Sequence, residues 1–240
     1  MKKLLVVLAV CLLVFGVAGQ AKAYFTDGDL IRVMYDSSTN VEIATDLGAI
    51  SSLTTASNLT SSTVSLSQFG STATWSQVNV AYFADNASVS TAYVAAAGTP
   101  VVTWTKYNGG FKASANDIEG LYQSLGGSTV TTTTGNANSY YTLMDGNGSY
   151  AGQFSEFLKS TSPNGEMNMA SLGTGLQELY AITSATSITG ILSLTTSLDP
   201  TGTVASTTVN ATAAPIPPSI LLLGSGLLGL VGVGRKKLFV

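Results

Sequence analysis

Leu30-Ile-Arg-Val-Met-Tyr35, followed by Asp36-Ser-Ser-Thr-Asn40 and Val41-Glu-Ile-Ala44, is the stretch from which the fold can be read. Leu30–Tyr35 alternates, and the two-residue period places Ile31, Val33 and Tyr35 on one face of a strand. Asp36-Ser-Ser-Thr-Asn40 gathers short polar side chains that bond their own backbone, which is turn chemistry. Val41–Ala44 then returns, and the whole predicts a β-hairpin.

The same texture continues outward. Val78–Phe83 alternates, Asp85-Asn86 supplies a turn, and Val89–Ala95 answers it. Val101–Trp104 reads as a further short strand. Leu179–Thr183, Ile188–Leu194 and Thr203–Val209 read as a meander. Short strands at near-regular spacing predict a mainly β fold, a β-sandwich-like domain. Two helical stretches interrupt it. Ser114, with Asp117 three residues on, has the form of a capping box. Ile118, Leu121, Tyr122 and Leu125 follow at helical spacing, and Gly126-Gly127 ends the run. Phe154, Phe157 and Leu158 form a shorter apolar stripe before Pro163. Both are expected to pack over a sheet. Thr129–Gly135 is expected to be a loop or an exposed strand.

Charge is unevenly placed. Six of the ten basic residues are Lys2, Lys3, Lys22, Arg235, Lys236 and Lys237, all near the ends, and all 13 acidic residues lie between them. The body therefore sets four basic residues against 13 acidic ones, a net charge of −9. Nucleic-acid affinity comes largely from basic surface, so a nucleic-acid partner is not expected. The chain has no histidine, which removes His-containing zinc sites and Ser-His-Asp or Cys-His nucleophile machinery. No phosphate-cradling glycine loop is present. No catalytic residue and no cofactor are therefore expected, apart from the calcium reading that follows.

Asp145-Gly-Asn147-Gly-Ser149, with Glu156 at the twelfth position, has the oxygen spacing of a calcium loop. Position six of such a loop needs a sharp turn and is Tyr150 here. The competing reading is a glycine-rich turn in which Ser149 caps the Phe154 helix. Asp27-Gly28-Asp29 is either a second oxygen cluster or a tight turn feeding the first strand. Asp117 and Glu119 stand two apart on a helix and so cannot face each other as an acid–base pair. Trp75, Trp104, Tyr82, Tyr93, Tyr107, Tyr140 and Tyr141 are either sugar-stacking faces or core aromatics. Of these, Tyr140-Tyr141 is the pair most expected at the surface, since adjacent strand residues point to opposite faces.

The two ends carry addresses. Met1-Lys2-Lys3 is a basic start, Leu4–Ala18 is apolar, and Ala21-Lys22-Ala23 is a small-x-small cleavage site. Residues 1–23 read as a signal peptide, leaving Tyr24 as the new N-terminus and naming the Sec translocon and signal peptidase as partners. Cys11, the single cysteine, lies inside the apolar run behind Val10, which is no lipidation context. At the other end, residues 199–218 read as a linker that ends in Pro215-Ile216-Pro217-Pro218. Residues 219–240 read as a transmembrane helix with a basic stop. Ser219–Gly234 is 16 residues without a charge. At about 1.5 Å per residue it reaches roughly 24 Å, slightly less than a bilayer core. Arg235-Lys236-Lys237 should hold that end in the cytoplasm, and Ser225 with Gly229 forms a small-xxx-small pair.

This tail resembles the PEP-CTERM sorting signal of Gram-negative bacteria. The matching features are Pro215-Ile216-Pro217, the Leu221–Leu230 helix with Gly224, Ser225, Gly226 and Gly229, and the basic end. The resemblance covers the last 26 residues, and Ile216 stands where the motif has Glu. It implies recognition by an exosortase, a membrane-embedded cysteine peptidase that cuts near the prolines. It also implies export, a transient inner-membrane anchor, and final residence at the cell surface or in an exopolysaccharide-rich biofilm matrix. The functional expectation is thus a non-enzymatic, exosortase-processed surface or matrix protein. The alternatives are a carbohydrate-binding or glycan-acting protein with the same tail, and a permanently anchored single-span protein.

Overall fold

A computed structural model describes residues 24–55, 59–61, 63–145, 156–158, 165–170 and 176–211. The expected signal peptide with Ala21 and Ala23, the sorting tail from Pro215 to Lys237, and Asn147 and Ser149 lie outside these residues.

The chain is mainly β. Its strands are β1 Asp29–Asp36, β2 Val41–Ala49, β3 Leu59–Thr60, β4 Val64–Ser65, β5 Asn79–Asn86, β6 Thr91–Ala96, β7 Thr129–Thr132, β8 Glu166–Asn168, β9 Leu176–Ile182, β10 Ile188–Leu198 and β11 Val204–Ala211. They form one sheet in the order β3-β11-β10-β9-β6-β5-β1-β2-β7, with β4 on β11 and β8 on β5. Every pairing is antiparallel. The β1–β2 hairpin forms where the alternation placed it. Asp36 Oδ1 accepts from the Ser38 amide at 2.8 Å and the Ser38 hydroxyl at 2.6 Å, and Asn40 takes φ +58° to close the turn.

The two layers of the expected sandwich are the arms of this one curled sheet. In strand order β1 stands five steps from β11. In a flat sheet those steps would separate them by roughly 24 Å. Yet Arg32 Nη1 on β1 donates to Thr207 Oγ1 on β11 at 3.1 Å, and Tyr82 Oη on β5 meets the same hydroxyl at 2.7 Å. The sheet must therefore bend until its arms face each other. The concave side holds Leu30, Met34, Ile43, Val80, Tyr82, Leu192, Leu194 and Val209. The convex side of β1, β5 and β6 is buried beneath the helical segments, around Ile31, Val33, Phe83, Val94, Tyr107, Phe111, Ile118 and Tyr122. Full burial of each large side chain contributes about 1.5–3 kcal/mol. Two cores, one per face, explain why β1 is buried at all eight positions despite its alternation.

Helix α1 is a single turn, Ile50–Leu53, with both apolar ends buried. Helix α2 runs Lys112–Leu125 and continues a π-helical turn over Tyr107–Phe111. Ser114 is therefore buried inside the helix, and no capping box forms there. The apolar stripe starts earlier than Ile118. Tyr107, Phe111, Ala115, Ile118 and Tyr122 all sit in the convex core, and they carry the helix through Gly109-Gly110. Leu125 is exposed, whereas Gly126 and Gly127 end the helix with φ +72° and +97°.

Several other expectations shift. β5 continues through Asp85 to Asn86, so the turn falls on Ala87–Ser90, with Ser90 at φ +51°. Val101–Trp104 forms no strand. Val102 makes an isolated bridge to Leu158, and Trp104 stacks on Tyr107 with centroids 4.6 Å apart. Tyr140 is wholly buried and Tyr141 opens a π-helical turn, so neither sits on a strand. β7 occupies the first part of Thr129–Gly135 as the strand beside β2. β11 lies inside the span expected as linker and pairs with β10 from Ala205 to Ala211. The folded body thus extends at least to Ala211.

Candidate functional site

At one end the concave side of the sheet opens into a cleft of about 350 Å³. Asp27 and Gly28 line it from the turn before β1, Ala49, Ile50, Ser51 and Thr54 from the end of β2 and α1, and Asn86 from the end of β5. Tyr93 of β6, Ala181 of β9 and Ile191 of β10 complete the wall. The register accounts for this gathering. Ala84 pairs with Tyr93 and Tyr93 with Ala181, so these side chains share the concave face. The mouth of a curled sheet is a common place for a ligand site, because side chains converge there while the backbone remains paired.

The polar groups of the mouth are held in place. Asp27 Oδ1 accepts the Ala87 amide at 2.8 Å, and Asn86 Oδ1 accepts the Ser88 hydroxyl at 2.6 Å. Each side chain is clamped at one atom by the β5–β6 turn. Gly28 takes φ +86°, and a Cβ there would lie 3.4 Å from Asn86 Nδ2. That is ordinary contact, so it is the left-handed backbone of the turn that calls for glycine. Asp29 accepts the Thr26 amide and hydroxyl at 2.8 and 2.6 Å. The Asp27-Gly-Asp29 stretch is thus a turn feeding β1, and its two carboxylates have separate tasks.

Beside the mouth, on the convex side, lies an acidic group that the sequence did not bring together. Asp85 is fully buried, and its Oδ1 accepts the Tyr107 hydroxyl at 2.7 Å. Glu119, on α2, is buried as well. Its burial, with the charges of Asp85, Asp27 and Asp29, pushes its carboxyl up to about 8. Burial also raises Asp85, against the opposing pull of Tyr107 and Lys112. Tyr93 is raised by burial and then by Asp27 and Asp85. Asp117 is exposed and points away from Glu119. Among the described residues no three acidic side chains converge as a metal site.

A second buried carboxylate is structural. Glu42 Oε1 accepts the Tyr122 hydroxyl at 2.7 Å and the Tyr140 amide at 3.0 Å, and Oε2 accepts the Tyr141 amide at 2.9 Å. Burial raises it to about 7 against these three donors. Of the calcium-loop residues, Asp145 ends the π-helical turn and Glu156 pairs with Lys106 Nζ at 2.8 Å on the surface. The seven aromatics do not share one face. Tyr82, Tyr107 and Tyr140 are wholly buried, Trp75 is tied by Nε1 to the Gly202 carbonyl at 2.7 Å, and Tyr141 packs on Tyr35. Tyr93 alone among them lines the mouth. Tyr24, the expected mature N-terminus, packs half-buried against the convex core.

Fold and site together define an acidic, mainly β protein whose single curled sheet carries an open cleft of mixed polar and apolar lining at its mouth. No protein-family profile, curated protein or solved structure matches the chain. Among the described residues, no helix is long and apolar enough to cross a membrane.

Proposed function

We propose that this is an exported, non-enzymatic surface or extracellular-matrix protein of a Gram-negative bacterium, processed by an exosortase-type peptidase and associated with exopolysaccharide. The observation that carries the reading is the pairing of two addresses around one acidic body. A signal-peptide pattern at residues 1–23 starts export, and a Pro-Ile-Pro-Pro lead with an apolar helix and basic stop at residues 215–240 halts it. The −9 body between them suits life outside the cell and repels other acidic surfaces. It has no histidine, and its one cysteine leaves with the signal peptide, so its stability rests on the two cores without disulfides.

The sequence of events is export by the Sec translocon, cleavage after Ala23, a pause with the tail in the inner membrane, and exosortase cleavage near Pro215–Pro218. Mass spectrometry of the native C-terminus in mature surface material tests it. A terminus near the proline motif is expected. An intact Val240 there would replace sorting with permanent anchoring. The carbohydrate-binding reading is favoured by a separate observation, the polar mouth with Tyr93 on its wall.

A further inference from the structure

We infer that the mouth of the curled sheet is a saccharide subsite, selective for neutral or amino-bearing sugar units and closed to uronates. The inference deepens the proposed association with exopolysaccharide, and it concerns a cleft on the body, independent of the sorting tail.

Three features of the cleft point to this ligand class. The first is its mixture of surfaces. A sugar ring has apolar C–H patches and a rim of hydroxyls, so it needs an aromatic or aliphatic wall beside planar polar groups. Tyr93 and Ile191 supply the wall, Asp27 and Asn86 the planar groups, and Ser51 and Thr54 hydroxyls at the rim. The second is preorganisation. Asp27 and Asn86 are each clamped at one atom by Ala87 and Ser88, which directs what remains and reduces the entropy lost on binding. The volume of about 350 Å³ lies at the small end of ligand clefts, suited to one or two rings of a longer chain.

The third feature is charge, and it decides among sugars. No lysine or arginine lines the cleft, and Asp27 does. Asp27 and Asp85 both stand close enough to act on Tyr93. A uronate would set its carboxylate beside Asp27 with no cation in the lining to pair it, since Lys112 lies behind the wall at the Ala87 carbonyl, whereas a hydroxyl or an ammonium group would be favoured. Apolar ligands are disfavoured by the polar rim, which they would leave unpaired.

The experiment is titration calorimetry on the full chain in detergent micelles, with three probes: cello-oligosaccharide, chitosan oligosaccharide and oligogalacturonate. The first two should bind, chitosan more tightly at low salt, and the third should not. Tyr93→Ala and Asn86→Ala should each weaken binding by about tenfold or more. Asp27→Asn should remove the advantage of chitosan over the neutral probe. Ser51→Trp changes an exposed residue of α1 and should block the mouth without disturbing the core. This keeps the test decisive should Tyr93→Ala fail to fold. Two results overturn the inference: the absence of neutral and amino-sugar binding, or binding that survives Ser51→Trp in a protein with an unchanged melting curve. Neither result bears on the C-terminal processing site, so failure of the sorting reading remains separately visible.

Discussion

Tyr122 donates its phenolic hydrogen to Glu42 at 2.7 Å, joining α2 to β2 across 80 residues of chain. The same carboxylate receives two consecutive backbone amides, those of Tyr140 and Tyr141. One buried side chain on the sheet thus ties down both helical segments that cover the convex face. A carboxylate at the start of the Tyr141–Asp145 turn also meets the positive end of its peptide dipoles.

Glu42→Gln should therefore destabilise the protein by about 1–3 kcal/mol. A glutamine carbonyl can serve one pair of donors, but its NH₂ would face an amide N–H and leave that donor unpaired. Urea denaturation at pH 7 measures the loss. Tyr122→Phe should cost less, because the two amides remain satisfied.

Stability should rise on acidification from about pH 8.5 to pH 5. The carboxyls of Glu42 and Glu119 stand at about 7 and about 8 in the folded state, above their unfolded value of 4.5. The folded protein therefore holds these protons more tightly. The resulting stabilisation is complete below 4.5 and is lost as pH rises through 7 to 8. Thermal melts across this range measure the trend.

Glu119→Gln should flatten that profile at its upper end. Glu119 Oε1 is buried without a hydrogen-bond partner, and burial with the neighbouring acids outweighs the Asp85 backbone amide that favours its charge. At pH 8.5 the variant should be more stable than the parent, on the order of 2 kcal/mol. A loss of stability at that pH would show that the Asp85 amide outweighs the burial and the neighbouring acids.

Thr207→Val should cost about 2–3 kcal/mol. The change keeps shape and removes the hydroxyl that receives Arg32 and meets Tyr82 on the concave side. The same experiment tests the curl, since Thr207 can serve both partners only if β11 faces β1 and β5. Weaker protection of β10 and β11 amides from hydrogen exchange should accompany it.

Asp199→Ala should loosen the β10–β11 turn. Its Oδ1 accepts the Thr203 and Val204 amides, both at 2.8 Å. The Thr201 hydroxyl and these amides hold its carboxyl down at about 2. This contribution has the opposite sign to that of Glu42. It is present above the unfolded value of 3.8 and is lost as pH falls towards 2. Amide exchange at Thr203 and Val204, compared at pH 5 and pH 2.5, should show it.

The β1–β2 hairpin was legible because its evidence is local: an alternating strand, an Asx-type turn and a return. The β9–β11 meander was legible for the same reason. The start of α2 was not, because Gly109-Gly110 reads as a break while burial of Tyr107 and Phe111 carries the helix through it. The strand expected at Tyr140-Tyr141 is a helical turn instead, because Glu42 holds both backbone amides inward, a contact of 98 residues at Tyr140. Nothing in the spacing of Asp27 and Tyr93 along the chain joins them; the cleft does.

Read alone, the chain yields its strands, its turns, the imbalance of charge and the two terminal patterns proposed as addresses. These are properties of neighbouring residues, and alternation, turn chemistry and hydropathy act over a few positions. The curl of the sheet, the two cores on its faces and the mouth that unites Asp27, Asn86 and Tyr93 belong to the tertiary structure. They depend on which strands pair and how far the sheet bends. That is settled by burying both faces of β1 at once, a constraint no short stretch of sequence contains.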